Sequence, residues 1–167
     1  RDGTEFPIEI SLSPLETEDG MLVSSTIRDV TERKRADELR FRLAAIVDSS
    51  DDAIIGRTLA GIITSWNTGA ERIFGYTEHE ALGRSISMLL PPEGKAEDPG
   101  ILDRLLRRER IEPFETLGHR KDGRIIPLSV TISSVRDAAG NVSGSSKMAR
   151  DITDRKRAEE ALRESEQ

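Results

Sequence analysis

The chain has 167 residues, 35% of them apolar and 34% charged, with a formal net charge of −6 and no cysteine. That is length for one ordinary domain plus extras, and the lack of cysteine excludes disulfides, thiolate catalysis and cysteine-ligated zinc. An acidic chain without a concentrated basic surface is not a general nucleic-acid binder, no apolar run approaches the ~18 residues of a membrane span, and no signal-peptide pattern opens the chain.

In chain order, "RDGTEFPIEISLS" comes first. Phe6, Ile8, Ile10 and Leu12 alternate with Pro7, Glu9, Ser11 and Ser13, the period of a half-buried strand. Asp2-Gly3 and Asp19-Gly20 are turn dipeptides, so a second strand returns toward Ile27. Thr31 then stands where a helix N-cap belongs, its hydroxyl able to accept from the free amides of the first turn. The helix predicted over Glu32 to Val47 carries Ala36, Leu39, Leu43 and Ile46 at spacings of three, four and three. Such a seam suits either a partner helix or the surface of the chain's own domain, and two heptads do not decide between them. The basic run "RDVTERKRADELR" is interleaved with acids and reads as a solvated helix face.

"DAIIGRT" (Asp52 to Thr58) and "GIITSWN" (Gly61 to Asn67) read as two apolar-rich strands. Asn67 can cap the short helix "TGAERIFGY", whose Ala70, Ile73 and Phe74 share one face. "TEHEALG" opens on a second cap residue, Thr77, and stops at Gly83. "SISMLLPPEG" is an apolar step halted by Pro91-Pro92. "DPGILDRLLRRER" is helical, with Ile101, Leu102, Leu105 and Leu106 as its predicted buried stripe. "IEPFETLGHR" extends as a strand into the turn Lys121-Asp122-Gly123. Ile126, Leu128, Val130 and Ile132 then alternate with Pro127, Ser129, Thr131 and Ser133. After the turn Ala139-Gly140-Asn141, the last strand puts Ser145, Lys147 and Ala149 on one face and Ser146 and Met148 on the other. Thr153 opens the final helix.

The end of the chain repeats its beginning. Arg1-Asp2-Gly3 matches Lys121-Asp122-Gly123, Phe6-Pro7-Ile8 matches Ile126-Pro127-Leu128, and "IRDVTERKRADE" matches "ARDITDRKRAEE". The repeated unit is strand, turn, strand, charged helix, and the material between the copies occurs once. Two strands, a helical insertion and three further strands predict an α+β domain, one antiparallel sheet with its helices on one face.

From about Ile46 to Leu162 the residues resemble a bacterial PAS (S-box) sensory domain, most specifically in "SWNTGAERIFGY", "RKDG" and "RDITDRKRAE". The resemblance implies a five-stranded antiparallel sheet cupped by short helices and flanked by a lead-in and an exit helix. It implies residues 1–31 as the last strands of a truncated upstream PAS domain, 32–47 as the lead-in helix, 48–152 as the complete domain and 153–167 as the exit helix. The function implied is a sensory or relay module of a cytoplasmic bacterial signalling protein of sensor histidine kinase type. Changes would pass through the flanking helices to an output such as a histidine kinase or diguanylate cyclase. The other reading is a ligandless dimerisation scaffold. Expected partners are a second copy, joined through the flanking helices, and neighbouring PAS and output domains, with neither nucleic acid nor membrane contacting this segment. No phosphate-cradling glycine loop, nucleophile–base–acid set or kinase histidine box makes the chain itself an enzyme.

For the site, the resemblance points to a cup lined by Ile55, Ile63, Phe114, Leu128, Val130 and Ile132 from strands and by Ile73, Phe74, Ile86, Leu89 and Leu90 from helices. Packed core reads the same way. Hydrophobicity favours Met148 facing inward; the family register favours Lys147, which would then need a carboxylate or an anionic ligand. Trp66 and Asn67 carry structural or relay roles. Glu71 is expected to pair with Lys121, and Asp151 and Thr153 to fix the start of the exit helix. His79 and His119 are expected at the surface, away from the helix on which haem-binding relatives carry their ligand, so haem b through a histidine is not expected. Cysteinyl-flavin photochemistry is excluded, while non-covalent flavin or a small metabolite is compatible. The first hairpin, exposing Phe6, Ile8, Ile10 and Leu12, is expected to be disordered or to add to another sheet's edge.

Overall fold

A computed structural model describes residues 2–92, 99–109 and 111–165. Arg1 of the first turn, the Glu93-Gly94 end of the apolar step, Asp98, Arg110 and the last two residues of the exit helix fall outside that set. The chain divides into two bodies, Arg1–Ala45 and Ile46–Gln167, with the boundary inside helix α1 (Thr31–Asp48).

In the first body, strand β1 (Ile8–Thr17) pairs antiparallel with β2 (Gly20–Asp29) from Ile8↔Asp29 to Thr17↔Gly20. Cross-strand partners share a face, so Ile8, Ile10 and Leu12 lie with Met21, Val23 and Ile27, all exposed. The hairpin is therefore a paired two-stranded sheet with its side chains exposed, which corrects the expectation of disorder. The physical reason is that the inward-facing backbone groups of the two strands pair across a two-residue turn, while water can serve the outward-facing ones. Only apolar burial goes unmet.

The second body holds β3 (Ala53–Thr58), β4 (Ile63–Trp66), α2 (Thr68–Phe74), α3 (Glu78–Ala81), a 3-10 turn (Ile86–Leu89), α4 (Pro99–Leu106), β5 (Phe114–His119), β6 (Ile125–Arg136), β7 (Val142–Asp151) and α5 (Thr153–Ser165). Its five strands form one sheet in the order β4-β3-β7-β6-β5, every neighbour antiparallel. The inner face, with Ile55, Leu128, Val130 and Ile132, makes a single core with Ile73, Phe74, Ile86, Leu89, Ile101 and Leu105 from the helices. Of the four-residue stripe predicted on α4, Ile101 and Leu105 enter that core, while Leu102 and Leu106 stay on the surface. A two-turn helix lying on a sheet buries one i, i+4 line, and the adjacent line turns outward. Gly69 is required where α2 meets the chain before β3, because a Cβ there would sit 2.2 Å from the Asp52 carbonyl oxygen.

The sequence repeat is a structural repeat in the same register. Ile10↔Ile27 and Leu12↔Ser25 correspond to Val130↔Ala149 and Ile132↔Lys147. Val30 N–H donates to Pro7 O at 3.1 Å, and Ile152 N–H donates to Pro127 O at 3.1 Å. Both helices begin on the same turn: Asp29 Oδ1 accepts from the N–H and hydroxyl of Thr31, and Asp151 Oδ1 from those of Thr153. The threonine hydroxyls thus donate to an upstream aspartate instead of accepting from the helix, as predicted for an N-cap. The residues before them, Val30 and Ile152, supply the first helical carbonyls, to Lys34 and Lys156. A carboxylate two residues earlier is the stronger acceptor, so the hydroxyl proton goes to it.

Candidate functional site

The candidate site is the inner face of the sheet and its rim. Alternation on β7 is set by Ala149, fully buried opposite Ala53 and Val130. Two residues earlier, Lys147 must point the same way; it lies between Ile55 and Ile132 and is 4% exposed. Met148 turns outward at 43% exposed, so hydrophobicity alone misplaces it. Ser145, also buried and on the inner face, accepts from Arg57 Nε at 2.8 Å. Of the predicted lining residues, Ile55, Ile63, Ile73, Phe74, Ile86, Leu89, Leu128, Val130 and Ile132 are buried, and Leu90 and Phe114 are half-buried.

At the front rim, Asn67 does more than cap α2. Its Oδ1 accepts from Ala70 N–H at 2.9 Å and from Ile54 N–H at 2.8 Å. Its Nδ2 donates to Val47 O at 2.9 Å and Asp52 O at 3.1 Å. One buried amide therefore joins the end of α1, the start of β3 and the start of α2. Trp66 Nε1 donates to Tyr76 O at 3.0 Å while its ring lies 5.9 Å from that of Phe74.

The turn between β5 and β6 closes on the end of α2: Lys121 N–H donates to Phe74 O and the Arg120 guanidinium to Ile73 O. These contacts satisfy carbonyls at the negative end of a helix. The expected Glu71–Lys121 pair does not form. Glu71 Oε1 accepts from Glu78 N–H at 2.6 Å, and Lys121 Nζ instead meets Glu80 Oε1 at 2.6 Å, 5.8 Å from the Tyr76 ring centre. Glu71 is drawn to the free amide at the start of α3, which leaves Glu80 for the lysine. Lys121 and the Thr77 amide hold the Glu80 carboxyl down at about 2. Thr77 and Glu80 also form a reciprocal capping box, whose sequence signal is Thr-x-x-Glu.

At the back rim, Asp52 holds Arg150 in a two-toothed ion pair at 2.9 and 2.8 Å. Glu115 on β5 receives both Lys156 Nζ, at 2.5 Å, and the Arg155 guanidinium from the first turn of α5. Lys156 first, then Arg155, lower the Glu115 carboxyl below the usual glutamate range. The signal for this cluster was present in the sequence, since Arg-Lys recurs at the same place in both copies (Arg33-Lys34, Arg155-Lys156), but its acid lies 40 residues away. His79 is exposed and His119 half-buried. Among the described residues no three His, Asp or Glu side chains gather as metal ligands, and no helix is long and apolar enough to cross a membrane.

Comparison with known proteins bears on this geometry. The PAS fold family matches residues 42–152, and a PAS domain family matches residues 1–32. The sensor protein FixL of Bradyrhizobium diazoefficiens is 28% identical over 152 residues, covering 85% of this chain and 29% of FixL. The cell-division control histidine kinase PdhS of Brucella ovis is 28% identical over 181 residues, covering 96% of this chain and 17% of PdhS. The chain thus spans less than a third of the length of these relatives. The crystal structure of the PAS domain of an HTR-like protein from Haloarcula marismortui is similar with a TM-score of 0.62 and 30% identity, over 72% of this chain and 98% of that one.

Proposed function

The chain belongs to the PAS family and is a sensory signal-transduction module; on that premise we propose that it relays changes in the interior of its sheet through α5 to an output domain, a histidine kinase or diguanylate cyclase. One observation carries the reading. A single strand, β7, holds both Lys147, buried in the interior, and Asp151, whose carboxylate starts α5. A shift at Lys147 needs to travel only four residues of extended chain to reach the helix. The proposed input is a small metabolite or non-covalent flavin meeting Lys147 and the apolar lining around it. The proposed state change is a population shift between two packings of similar energy.

The rest of the proposal concerns context. Residues 1–31 are read as the closing strands of an upstream PAS domain, with α1 as the lead-in and α5 as the exit, in a cytoplasmic protein. The in-register repeat supports this. Leu39, Leu43 and Ile46 on α1 and Leu162 on α5 are exposed, which supports a homodimer joined through flanking helices. The second reading, a ligandless scaffold, is favoured by the complete burial of Ile55, Phe74 and Val130, which pack as an ordinary core. Native mass spectrometry of protein made in a bacterial cytoplasm separates the two. A retained small molecule that is lost in Lys147→Met supports ligand input; a ligand-free dimer supports the scaffold.

A further inference from the structure

We propose that Glu115 is a positioning residue that docks the first turn of α5 onto the sheet, so that the exit helix follows the strands instead of swinging free at Asp151. The proposal rests on the relay reading and names the contact that makes α5 responsive.

Three observations lead to it. First, no described residue of α5 is buried, so apolar packing does not hold this helix. Second, Glu115 collects two cations from consecutive residues of its first turn, Arg155 on Oε1 and Lys156 on Oε2 at 2.5 Å, and Glu159 Oε1 lies 3.6 Å from Arg155 Nε, steadying it. One carboxylate taking both cations makes a network, in which exposed ion pairs contribute more than singly. Third, the chain contains a second copy of the same helix start to compare with. Helix α1 starts on the same Asp-x-Thr turn with the same closing backbone bond, and it carries Arg33 and Lys34 where α5 carries Arg155 and Lys156. Among the described residues no acid meets Arg33 or Lys34. The copies share the hinge, and the first, described without an equivalent of β5, serves as the reference for helix α5.

Geometry explains why Glu115 can do this. It sits on the edge strand β5, opposite Ser129 of β6 and between Phe114 and Thr116, so it points away from the face that Phe114 packs against. Ile152, the residue before α5, is bonded to Pro127 of the same neighbouring strand. The first turn of α5 is therefore delivered beside β6, within reach of β5.

Hydrogen exchange on the whole chain tests this. In Glu115→Gln at low salt, the amides of Lys156, Arg157 and Ala158 are expected to exchange about threefold faster or more, with those of Lys34, Arg35 and Ala36 unchanged. Raising salt to about 1 M should bring the parent chain toward the variant, since the Debye length falls to about 3 Å. The swap Glu115→Lys with Arg155→Glu and Lys156→Glu should restore slow exchange, an outcome that a purely local disturbance of β5 does not produce. The midpoint of unfolding read from Trp66 fluorescence serves as the fold control. Unchanged exchange in Glu115→Gln, or a swap that fails to restore protection in a folded chain, overturns the proposal. Either result leaves the β7-to-α5 relay standing. Conversely, an output indifferent to α5 while the exchange difference persists removes the relay and keeps the clamp.

Discussion

Asn67 shows how much one side chain can hold when every one of its polar atoms is used. Its cap to Ala70 was readable from its place before an apolar-periodic run. The bonds to Ile54, Val47 and Asp52 were not, because they depend on where two other elements leave their backbone groups. Asn67→Ala removes a cap and strands buried donors and acceptors, for an expected loss of about 2–4 kcal/mol. Asn67→Asp keeps the acceptors but sets a buried carboxylate oxygen against the Val47 and Asp52 carbonyls, so at neutral pH it should be no better than alanine. The only tryptophan of the chain lies in the second body and is 5% exposed, so denaturation followed by its fluorescence reads that body alone. A loss within the ~0.5 kcal/mol of ordinary surface changes would contradict the role assigned. Lys147 teaches the complementary lesson. Its own polarity argued for the surface, and the burial of Ala149 two residues on decided otherwise.

Between elements, docking is electrostatic at the rim and apolar within. The strands, the short helices and their caps were legible because period two, period 3.6 and turn dipeptides are local signals. Which half of an apolar stripe is buried was not, as Leu102 and Leu106 show, because that depends on what the helix lies upon. The partner of Lys121 was missed for the same reason: two acids, Glu71 and Glu80, were in range, and a free amide on α3 claimed the first. The pair that does form joins α3 to the β5–β6 turn and has a pH signature. Its carboxyl is lowered from the ordinary 4.5 to about 2. The stabilisation is thus complete above the ordinary value and is lost as pH falls through that window. Unfolding midpoints of the parent and Glu80→Gln should differ by a constant amount above about pH 5 and converge toward pH 2. A difference independent of pH would show that the ion pair contributes nothing.

For the molecule as a whole, the repeat carries most of the meaning. The fold of the second body was readable from the order of its elements and from family motifs; the exposed first hairpin was not. A two-stranded sheet is at best marginal alone in water, which favours disorder, yet its backbone ladder is complete. Reading it as the end of an upstream PAS domain gives its apolar face, Ile8, Ile10 and Leu12 with Val23 and Ile27, a place to be buried. On that reading the same hinge recurs at Asp29 and at Asp151, so a chain of such modules would pass changes along helices that each start from a strand. The interior need not be alike from module to module: where the second copy buries Lys147, the first presents Ser25.

The proposed relay is tested most directly by lengthening α5 in a protein that joins this chain to the output domain proposed for it. Each inserted residue rotates the helix beyond it by about 100°, and about seven residues restore the starting face. Output activity should therefore rise and fall with insertion length and return near its original value at seven. Activity that stays level, or declines steadily with each added residue, would mean that α5 does not carry the signal.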